Sequence, residues 1–212
     1  HKDWMNIDIN SNSPYVQSCN LIKGIPFPDN TFEIVYHSQV LEHIPKDKAA
    51  YFIKECSRVL KPGGTIRIVT PNLENIVDEY KKYLDECLTN PTPDSEANYE
   101  WILLEMYDQT VRNRSGGEMA AFIKQPNLRN EQYVIGRIGH IGKKIKEESA
   151  LLEGKSLIEK INITLKNKDM LRKAPQYILQ MIKNKLLPRT YRIGLFRRGG
   201  EVHMWMYDRY SL

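Results

Sequence analysis

The chain has 212 residues, a hydrophobic content of 41% and a formal net charge of +5 at pH 7, which suffices for one large or two small folded domains. Its three cysteines, Cys19, Cys56 and Cys87, are odd in number and irregularly spaced, so neither a disulfide framework nor a zinc knuckle is indicated. No apolar run approaches the roughly eighteen residues of a transmembrane helix, and no basic-then-apolar leader is present, so we expect a cytoplasmic protein.

The first predicted elements are two strands separated by loops. Trp4–Ile9 indicates a short apolar strand with a carboxylate, Asp8, near its end. After a loop punctuated by proline and asparagine, Phe32–His37 is rich in β-branched and aromatic residues and predicts a second strand.

An amphipathic helix and another strand follow. Apolar residues recur at helical spacing from Lys46 to Leu60 and indicate a helix that packs on the core. Pro62–Gly64 predicts its exit turn, and Thr65–Val69 predicts the next strand. A strand–helix–strand unit of this kind predicts an α/β fold with a parallel sheet. Ligands bind beyond the carboxyl ends of such strands, so Tyr36–Gln39 lie where a cofactor and its acceptor would meet.

These elements carry two motifs of a known family. Residues 25–44 read IPFPDNTFEIVYHSQVLEHI, and residues 60–64 read LKPGG. Together they resemble the middle of a class I S-adenosylmethionine-dependent methyltransferase of the type 11 group. The resemblance implies a partial Rossmann-like sheet, S-adenosylmethionine as the cofactor, and methyl transfer as the activity.

The resemblance also implies which residues hold the cofactor. Asp8 takes the place of the acidic residue that accepts both ribose hydroxyls. Asn20 and Leu21 take the place of an adenine-side Asp-Leu pair, and Asn20 keeps an accepting amide oxygen without the charge. His37, at the end of its strand, is expected beside the cofactor. The alternative for Asp8 is an ordinary strand-end or turn aspartate.

Two parts that the family uses are expected outside residues 1–212. Class I enzymes hold the methionine moiety with a glycine-rich turn after the first strand, and Gly24 is the only glycine before Gly63. Gly200–Leu212 resembles the segment that precedes a last helix and two closing strands. We therefore expect a fragment that lacks the glycine-rich motif and the closing strands and is inactive by itself.

From residue 73 onward the pattern becomes helical. Leu73–Leu88 and Glu96–Arg112 predict two helices, and residues 143–187 predict further basic helices with Leu, Ile and Met stripes. The alternative to a functional role is a purely structural one, in which these helices form a cap with a basic face exposed to solvent.

The charge is concentrated in this helical region. Residues 112–198 hold twenty Lys and Arg against seven Asp and Glu, whereas the rest of the chain has a net charge of −8. We expect three parts: a partial cofactor-binding α/β domain over residues 1–72, a basic helical insertion or lid over 73–198, and a return segment over 199–212.

One helix of the insertion has a polar face. Glu105, Asp108, Gln109 and Arg112 fall at i, i+3, i+4 and i+7, and residues 115–119 follow at once. The block resembles the lid insertion of a methyltransferase branch that is often encoded beside glycosyltransferases. The alternative is an ion pair between Asp108 and Arg112 on the solvent-exposed surface, which stabilises the helix by only a few tenths of a kcal/mol. The resemblance implies four acceptor-binding residues: Asp108, Gln109, Arg112 and Glu118.

Methyl transfer requires that the acceptor be held in line with the methyl group, and a hydroxyl acceptor also requires a base. His37, His43 and His203 are candidate bases, and Asp208 is a candidate orienting carboxylate. A structural role is the alternative for each histidine. Glu42 and His43 could ligate a divalent metal, but two adjacent ligands do not make a site, so no metal is assigned.

The resulting hypothesis is O-methylation of a glycan or another small anionic or polyhydroxylated acceptor. We expect His37, Arg112 and His203 to line one pocket. The alternative is a non-catalytic basic helical adaptor, which binds anionic ligands or an anionic membrane surface on a degenerate nucleotide fold. Nucleic acid is a weaker candidate partner, because the aromatic residues do not alternate with the basic ones.

Overall fold

A computed structural model describes residues 3–9, 11, 13–152, 154, 156, 159 and 186–212. The contacts define two compact units, one of His1–Asn75 with Gly200–Leu212 and one of Ile76–Gly199. Outside the described residues lie seven stripe positions of the predicted basic helices: Leu157, Ile158, Ile161, Leu165, Ile178, Met181 and Ile182.

The first unit contains two separate pairs of parallel strands. Strand β1 (Asn6–Asp8) pairs with β2 (Val16–Ser18), and β3 (Phe32–Ser38) pairs with β4 (Leu60–Val69). Within the described part of the chain, neither β1 nor β3 has a strand on its other side. Each of these two strands therefore has one edge that is not paired in a sheet.

Helix α1 (Lys46–Val59) connects β3 to β4, as the strand–helix–strand pattern predicts. Two 3₁₀ turns precede it, at Leu21–Lys23 and Leu41–His43. Because β3, α1 and β4 follow one another in the order expected for a parallel crossover, the α/β class predicted from the sequence is confirmed.

The predicted exit turn at Pro62–Gly64 is instead an irregularity inside β4. The two strands fall out of register between Phe32 and Ile34, where two steps along β3 match five along β4. The three extra residues make a bulge. A Cβ atom on Gly64 would lie 2.9 Å from the carbonyl oxygen of Glu33, so the bulge requires a residue without a side chain there.

Helix α1 supplies much of the core of the first unit. Phe52, Cys56 and Val59 are at most 2% exposed and recur at helical spacing. They belong to a cluster whose other buried members come from the loops and the return segment: Ile25, Leu41, Ile44 and Tyr207.

Helices make up the second unit. In the described residues after β4 they are α2 (Leu73–Thr89), α3 (Pro93–Val111), α4 (Gly117–Ile123), α5 (Glu131–Ile138), α6 (His140–Leu152) and α7 (Arg189–Arg197). The core of this unit is built around fully buried Trp101 and Val134. It is completed by Met119, Phe122, Ile123 and Leu128. None of the described helices has both the length and the apolarity that crossing a bilayer requires.

Helix α3 begins three residues earlier than the apolar pattern predicts. Its predicted start is Glu96, and its first residue is Pro93. The Thr92 hydroxyl accepts a hydrogen bond from the Ser95 amide at 3.0 Å, and the Ser95 hydroxyl accepts one from the Thr92 amide at 2.9 Å. This reciprocal cap, with proline at the first helical position, fixes the start.

Candidate functional site

A cavity of about 740 Å³ lies in the first unit. Many of the residues that line it come from β1 and the three residues before Asn6, and from all of β3. Phe52, Cys56 and Val59 of α1 also line it. Its volume falls within the usual range for small-molecule sites. Strands β1 and β3, each with one edge that has no sheet partner among the described residues, both line this cavity.

Three of the four predicted cofactor residues line this cavity. Asp8 is the last residue of β1, Leu21 opens the first 3₁₀ turn, and His37 lies near the end of β3. Asn20 is not among the lining residues; its amide oxygen accepts a hydrogen bond from the Ile22 amide at 3.1 Å. Asn20 therefore caps the 3₁₀ turn that presents Leu21 to the cavity.

His37 is buried, with 7% of its surface exposed. Its ring packs on Phe52 with 5.2 Å between the ring centroids. Neither ring nitrogen has a hydrogen-bond partner among the described residues. Burial lowers the pKa of His37 below its ordinary value, because a charged imidazolium is poorly solvated there. The ring is consequently neutral at pH 7, and one of its nitrogens carries a lone pair that can accept a proton.

His203 lies elsewhere in the first unit, in a cluster with Glu42 and His43, and is not among the residues that line the cavity. The His43 and His203 rings meet edge to face with centroids 4.7 Å apart. Glu42 is fully buried, and burial raises the pKa of its carboxyl group to about 7. The negative charge of Glu42 in turn contributes, after burial, to raising the pKa of Tyr207.

Asp208 is engaged in a local turn. Its Oδ1 atom accepts hydrogen bonds from the Tyr210 amide at 3.0 Å and from the Ser211 amide at 2.8 Å. The Ser211 hydroxyl donates a third at 2.9 Å. These bonds, those from Ser211 above all, lower the pKa of Asp208. The carboxylate thus organises the last residues of the return segment.

The predicted polar face of α3 is largely buried in the second unit. Arg112 Nη2 lies 3.0 Å from Asp108 Oδ2, and the two side chains are 9% and 5% exposed. The Asp108 Oδ1 atom also accepts a hydrogen bond from the Glu118 amide at 2.7 Å. One turn earlier, Glu105 accepts two hydrogen bonds from Arg137. The surface pair considered as an alternative therefore forms, but in a buried position.

A second cavity, of about 440 Å³, lies in the second unit. Three of the four predicted acceptor residues line it: Asp108, Arg112 and Glu118. Gln109 is half-buried and is not among the lining residues. Four arginines and two carboxylates line the cavity, so its lining has an excess of positive charge. Of these arginines, only Arg112 was predicted from the sequence. Arg114 lies two residues after it, and Arg189 and Arg192 belong to α7, far along the chain.

Arg112 belongs to the second unit and lines this cavity, whereas His37 lines the cavity of the first unit and His203 belongs to the Glu42 cluster. The structure therefore brings His203 together with His43, and Arg112 together with Asp108. A common pocket for His37, Arg112 and His203 would span the two units and stays a prediction.

Comparison with known proteins places the first cavity in a recognised domain. Residues 6–68 match the family described as a methyltransferase domain. Strand β1, β2, β3, helix α1 and nearly all of β4 lie within this range. The strand–helix–strand unit of this segment is consistent with part of a Rossmann-like fold, and the segment is similar to class I S-adenosylmethionine-dependent methyltransferases.

Individual relatives match over short stretches. A probable S-adenosylmethionine-dependent methyltransferase of Mycolicibacterium smegmatis is 44% identical over 48 residues, which is 23% of this chain and 18% of that protein. One of Mycobacterium tuberculosis is 39% identical over 57 residues, 27% of this chain and 20% of that protein. An Escherichia coli ubiquinone/menaquinone biosynthesis C-methyltransferase is 37% identical over 82 residues, 37% of this chain and 31% of that protein.

The chain thus spans less than a third of the length of these three relatives. No solved structure gives a significant match to it.

Proposed function

We propose that the protein transfers a methyl group from S-adenosylmethionine to a hydroxyl group of a glycan or another small anionic or polyhydroxylated acceptor. The observation that carries this proposal is the position of the first cavity. Asp8, Leu21 and His37 line it, and all three lie within the segment that matches the methyltransferase domain. The names of the relatives, which describe S-adenosylmethionine-dependent enzymes, support the choice of cofactor.

The residues that line this cavity fit a nucleoside. Asp8 offers a carboxylate at the end of a parallel strand, which is suited to accept hydrogen bonds from both ribose hydroxyls. Leu21, Ile25 and Phe27 offer apolar surface for a flat purine ring. When bound, S-adenosylmethionine supplies an electrophilic methyl group on a sulfonium, so the protein need not activate the donor.

The remaining task of the protein is to position the acceptor and to receive its proton. His37 suits the second role, because its imidazole is neutral at pH 7 and lies at the cavity. A hydroxyl held against this ring could transfer its proton to the ring nitrogen that carries the lone pair. We assign His37 as the base in preference to His203, which is not among the residues that line the cavity.

The second cavity supports an anionic or polyhydroxylated acceptor. Guanidinium groups bind phosphates and carboxylates through paired hydrogen bonds, and carboxylates accept hydrogen bonds from sugar hydroxyls. Arg192 is well suited to hold such a group: its Nε atom is buried and has no hydrogen-bond partner in the described segments. The same lining favours the second candidate function, a binding module for anionic ligands that does not transfer methyl groups.

Two substitutions test whether Asp8 binds the cofactor and Arg192 binds the acceptor, as this proposal states. We expect Asp8→Asn to weaken S-adenosylmethionine binding by about 1.5–3 kcal/mol, the scale of a lost charge-assisted hydrogen bond. We expect Arg192→Gln to raise KM for anionic acceptors by roughly tenfold and to leave cofactor affinity unchanged. Because residues 1–212 are expected to be inactive without the glycine-rich turn, both substitutions are made in a longer protein that includes this turn, and calorimetry with S-adenosylmethionine gives the affinity. Transfer of labelled methyl groups to a panel of neutral and acidic sugars gives KM.

Matched controls are Asp47→Asn, an exposed carboxylate of α1, and Arg198→Gln, which follows α7 and does not line the cavity. Both controls should behave as wild type. Unchanged cofactor affinity in Asp8→Asn would remove Asp8 from the site. Binding of acidic sugars without any methyl transfer would favour the binding module.

A further inference from the structure

The cluster of Glu42, His43 and His203 joins two segments that are far apart in the chain. Glu42 and His43 belong to the 3₁₀ turn after β3, and His203 belongs to the return segment. One ligand-type atom from each of the three side chains lies within 4.8 Å of the other two. Ligands that are each about 2.1 Å from one ion lie up to about 4.2 Å apart, so a small side-chain adjustment closes this cluster on a single ion.

The carboxylate of Glu42 is the strongest indication that something binds there. The residue is 0% exposed, and neither of its carboxylate oxygens accepts a hydrogen bond within the part of the chain that the structure describes. Buried carboxylates in proteins are normally paired, hydrogen-bonded or bound to a metal, because a lone buried charge is costly. Two imidazoles beside Glu42 complete a donor set of one oxygen and two nitrogens.

The backbone holds these ligands in place. The Met204 amide donates a hydrogen bond to the Glu42 carbonyl oxygen at 2.7 Å, and the Trp205 amide donates a longer one to the same oxygen at 3.3 Å. The part of the return segment directly after His203 is therefore hydrogen-bonded to the 3₁₀ turn. Such preorganisation reduces the ordering that binding an ion would require.

The orientation of His43 is also that of a typical metal ligand. Its Nδ1 atom lies 3.2 Å from the Val202 carbonyl oxygen, so Nδ1 must carry the hydrogen and donate it. The lone pair of the ring is then on Nε2. Metal-binding histidines commonly donate their other ring N–H to a carbonyl or carboxylate in this way.

From these observations we propose that Glu42, His43 and His203 form a binding site for a divalent transition-metal ion. One carboxylate and two imidazoles suit Zn²⁺ and its neighbours in the first transition row, whereas Mg²⁺ and Ca²⁺ prefer oxygen ligands. The ion neutralises Glu42 and links the return segment to the turn after β3. This proposal does not rest on methyl transfer, and it assigns His203 to the metal.

The test uses metal-depleted protein titrated with Zn²⁺ in competition with a chromophoric chelator, followed by Co²⁺ as a spectroscopic probe. Wild-type protein should bind one Zn²⁺ ion per chain and should unfold at a higher temperature with Zn²⁺ than without it. With Co²⁺ it should show the absorption of a site with mixed nitrogen and oxygen ligands. Glu42→Gln and His203→Gln should each weaken Zn²⁺ binding by about 100-fold or more and should abolish the thermal shift.

The matched control is His140→Gln, which removes an exposed histidine at the start of α6. This variant should bind Zn²⁺ as wild type does. Glu42→Gln keeps the shape of the side chain and removes the buried charge, so its metal-free form should stay folded by circular dichroism. Failure of wild-type protein to bind Zn²⁺ or Co²⁺, or equal binding by wild type, Glu42→Gln and His203→Gln, would overturn the proposal.

Discussion

The close approach of Gly117 to Asp108 shows how one residue fixes a cluster. Gly117 has φ +55°, and a Cβ atom there would overlap both carboxylate oxygens of Asp108. The absence of a side chain lets the start of α4 close over a carboxylate that also pairs with Arg112. A glycine at this position is therefore required by contact as well as by backbone conformation.

We expect Gly117→Ala to destabilise the protein by about 2 kcal/mol or more, because the new methyl group displaces Asp108 from its buried partners. The matched control is Gly136→Ala in the interior of α5, where nothing lies within 4 Å of the added Cβ atom. This control should be neutral or stabilise by up to about 1 kcal/mol, since alanine is the better helix former. Urea denaturation measures the free energy of unfolding of both variants. Equal stability of the two variants would mean that Asp108 can move without cost.

Single residues also mark the limit of sequence reasoning. The sequence shows the adjacent residues Glu42 and His43 as candidate ligands. It does not show a third ligand, so no metal site is predicted from the sequence. The His43 ring and the Val202 carbonyl that it contacts are 159 residues apart. Local spacing carries no information about such a contact, because the fold of the intervening chain sets it.

At the scale of elements, α1 is fixed to the preceding loop through its polar residues. Glu55 accepts a hydrogen bond from the Ile25 amide at 3.0 Å and pairs through both carboxylate oxygens with Arg58 at 2.8 Å. Arg58 in turn donates to the carbonyl oxygens of Ile25 and Phe27. The hydrogen bonds from Arg58, followed by that from Ile25, lower the pKa of Glu55 to about 2.

This network predicts a defined pH dependence. The pKa of Glu55 is lower in the folded state than its ordinary value of 4.5, so its contribution to stability is complete above pH 4.5 and is lost as the pH falls towards 2. We expect Glu55→Gln to be less stable than wild type at pH 7, and the difference to shrink over this interval. The urea midpoints of wild type and variant at several pH values measure this difference. The control is Glu33→Gln, which replaces an exposed glutamate. A difference that does not change with pH would contradict the assignment.

The helices and strands were predicted better than the turns and helix ends that connect them. Helix α1 and strand β3 lie within one residue of their predicted bounds, because burial of one face sets the apolar periodicity of each. Strand β4 ends at Val69 as predicted but begins at Leu60 instead of Thr65. The bulge at Gly64 and the early start of α3 were missed. The bulge depends on how β4 pairs with a strand some thirty residues earlier. The start of α3 depends on the reciprocal hydrogen bonds of Thr92 and Ser95, which apolar periodicity does not register.

At the scale of the molecule, the charge division seen in the sequence corresponds to different sites. The first unit holds a cavity with Asp8 and His37 at strand ends, and the second holds a cavity lined by four arginines. The residue types in both could be named from the motifs and the charge count. The motifs could not show which arginines share a cavity, since Arg112 directly follows α3, Arg192 belongs to α7, and these helices are distant in the sequence.

The unpaired edge of β3 has a consequence for amide hydrogen exchange. The Gln39 amide donates to Val69 of β4, and successive amides of a strand point in opposite directions, so the amides of His37 and Val35 also point towards β4. Those of Ser38 and Tyr36 then point to the side that has no strand among the described residues. We expect Ser38 and Tyr36 to exchange at least roughly tenfold faster than their neighbours by NMR. Equal protection along the strand would show that a further segment or partner pairs with this edge.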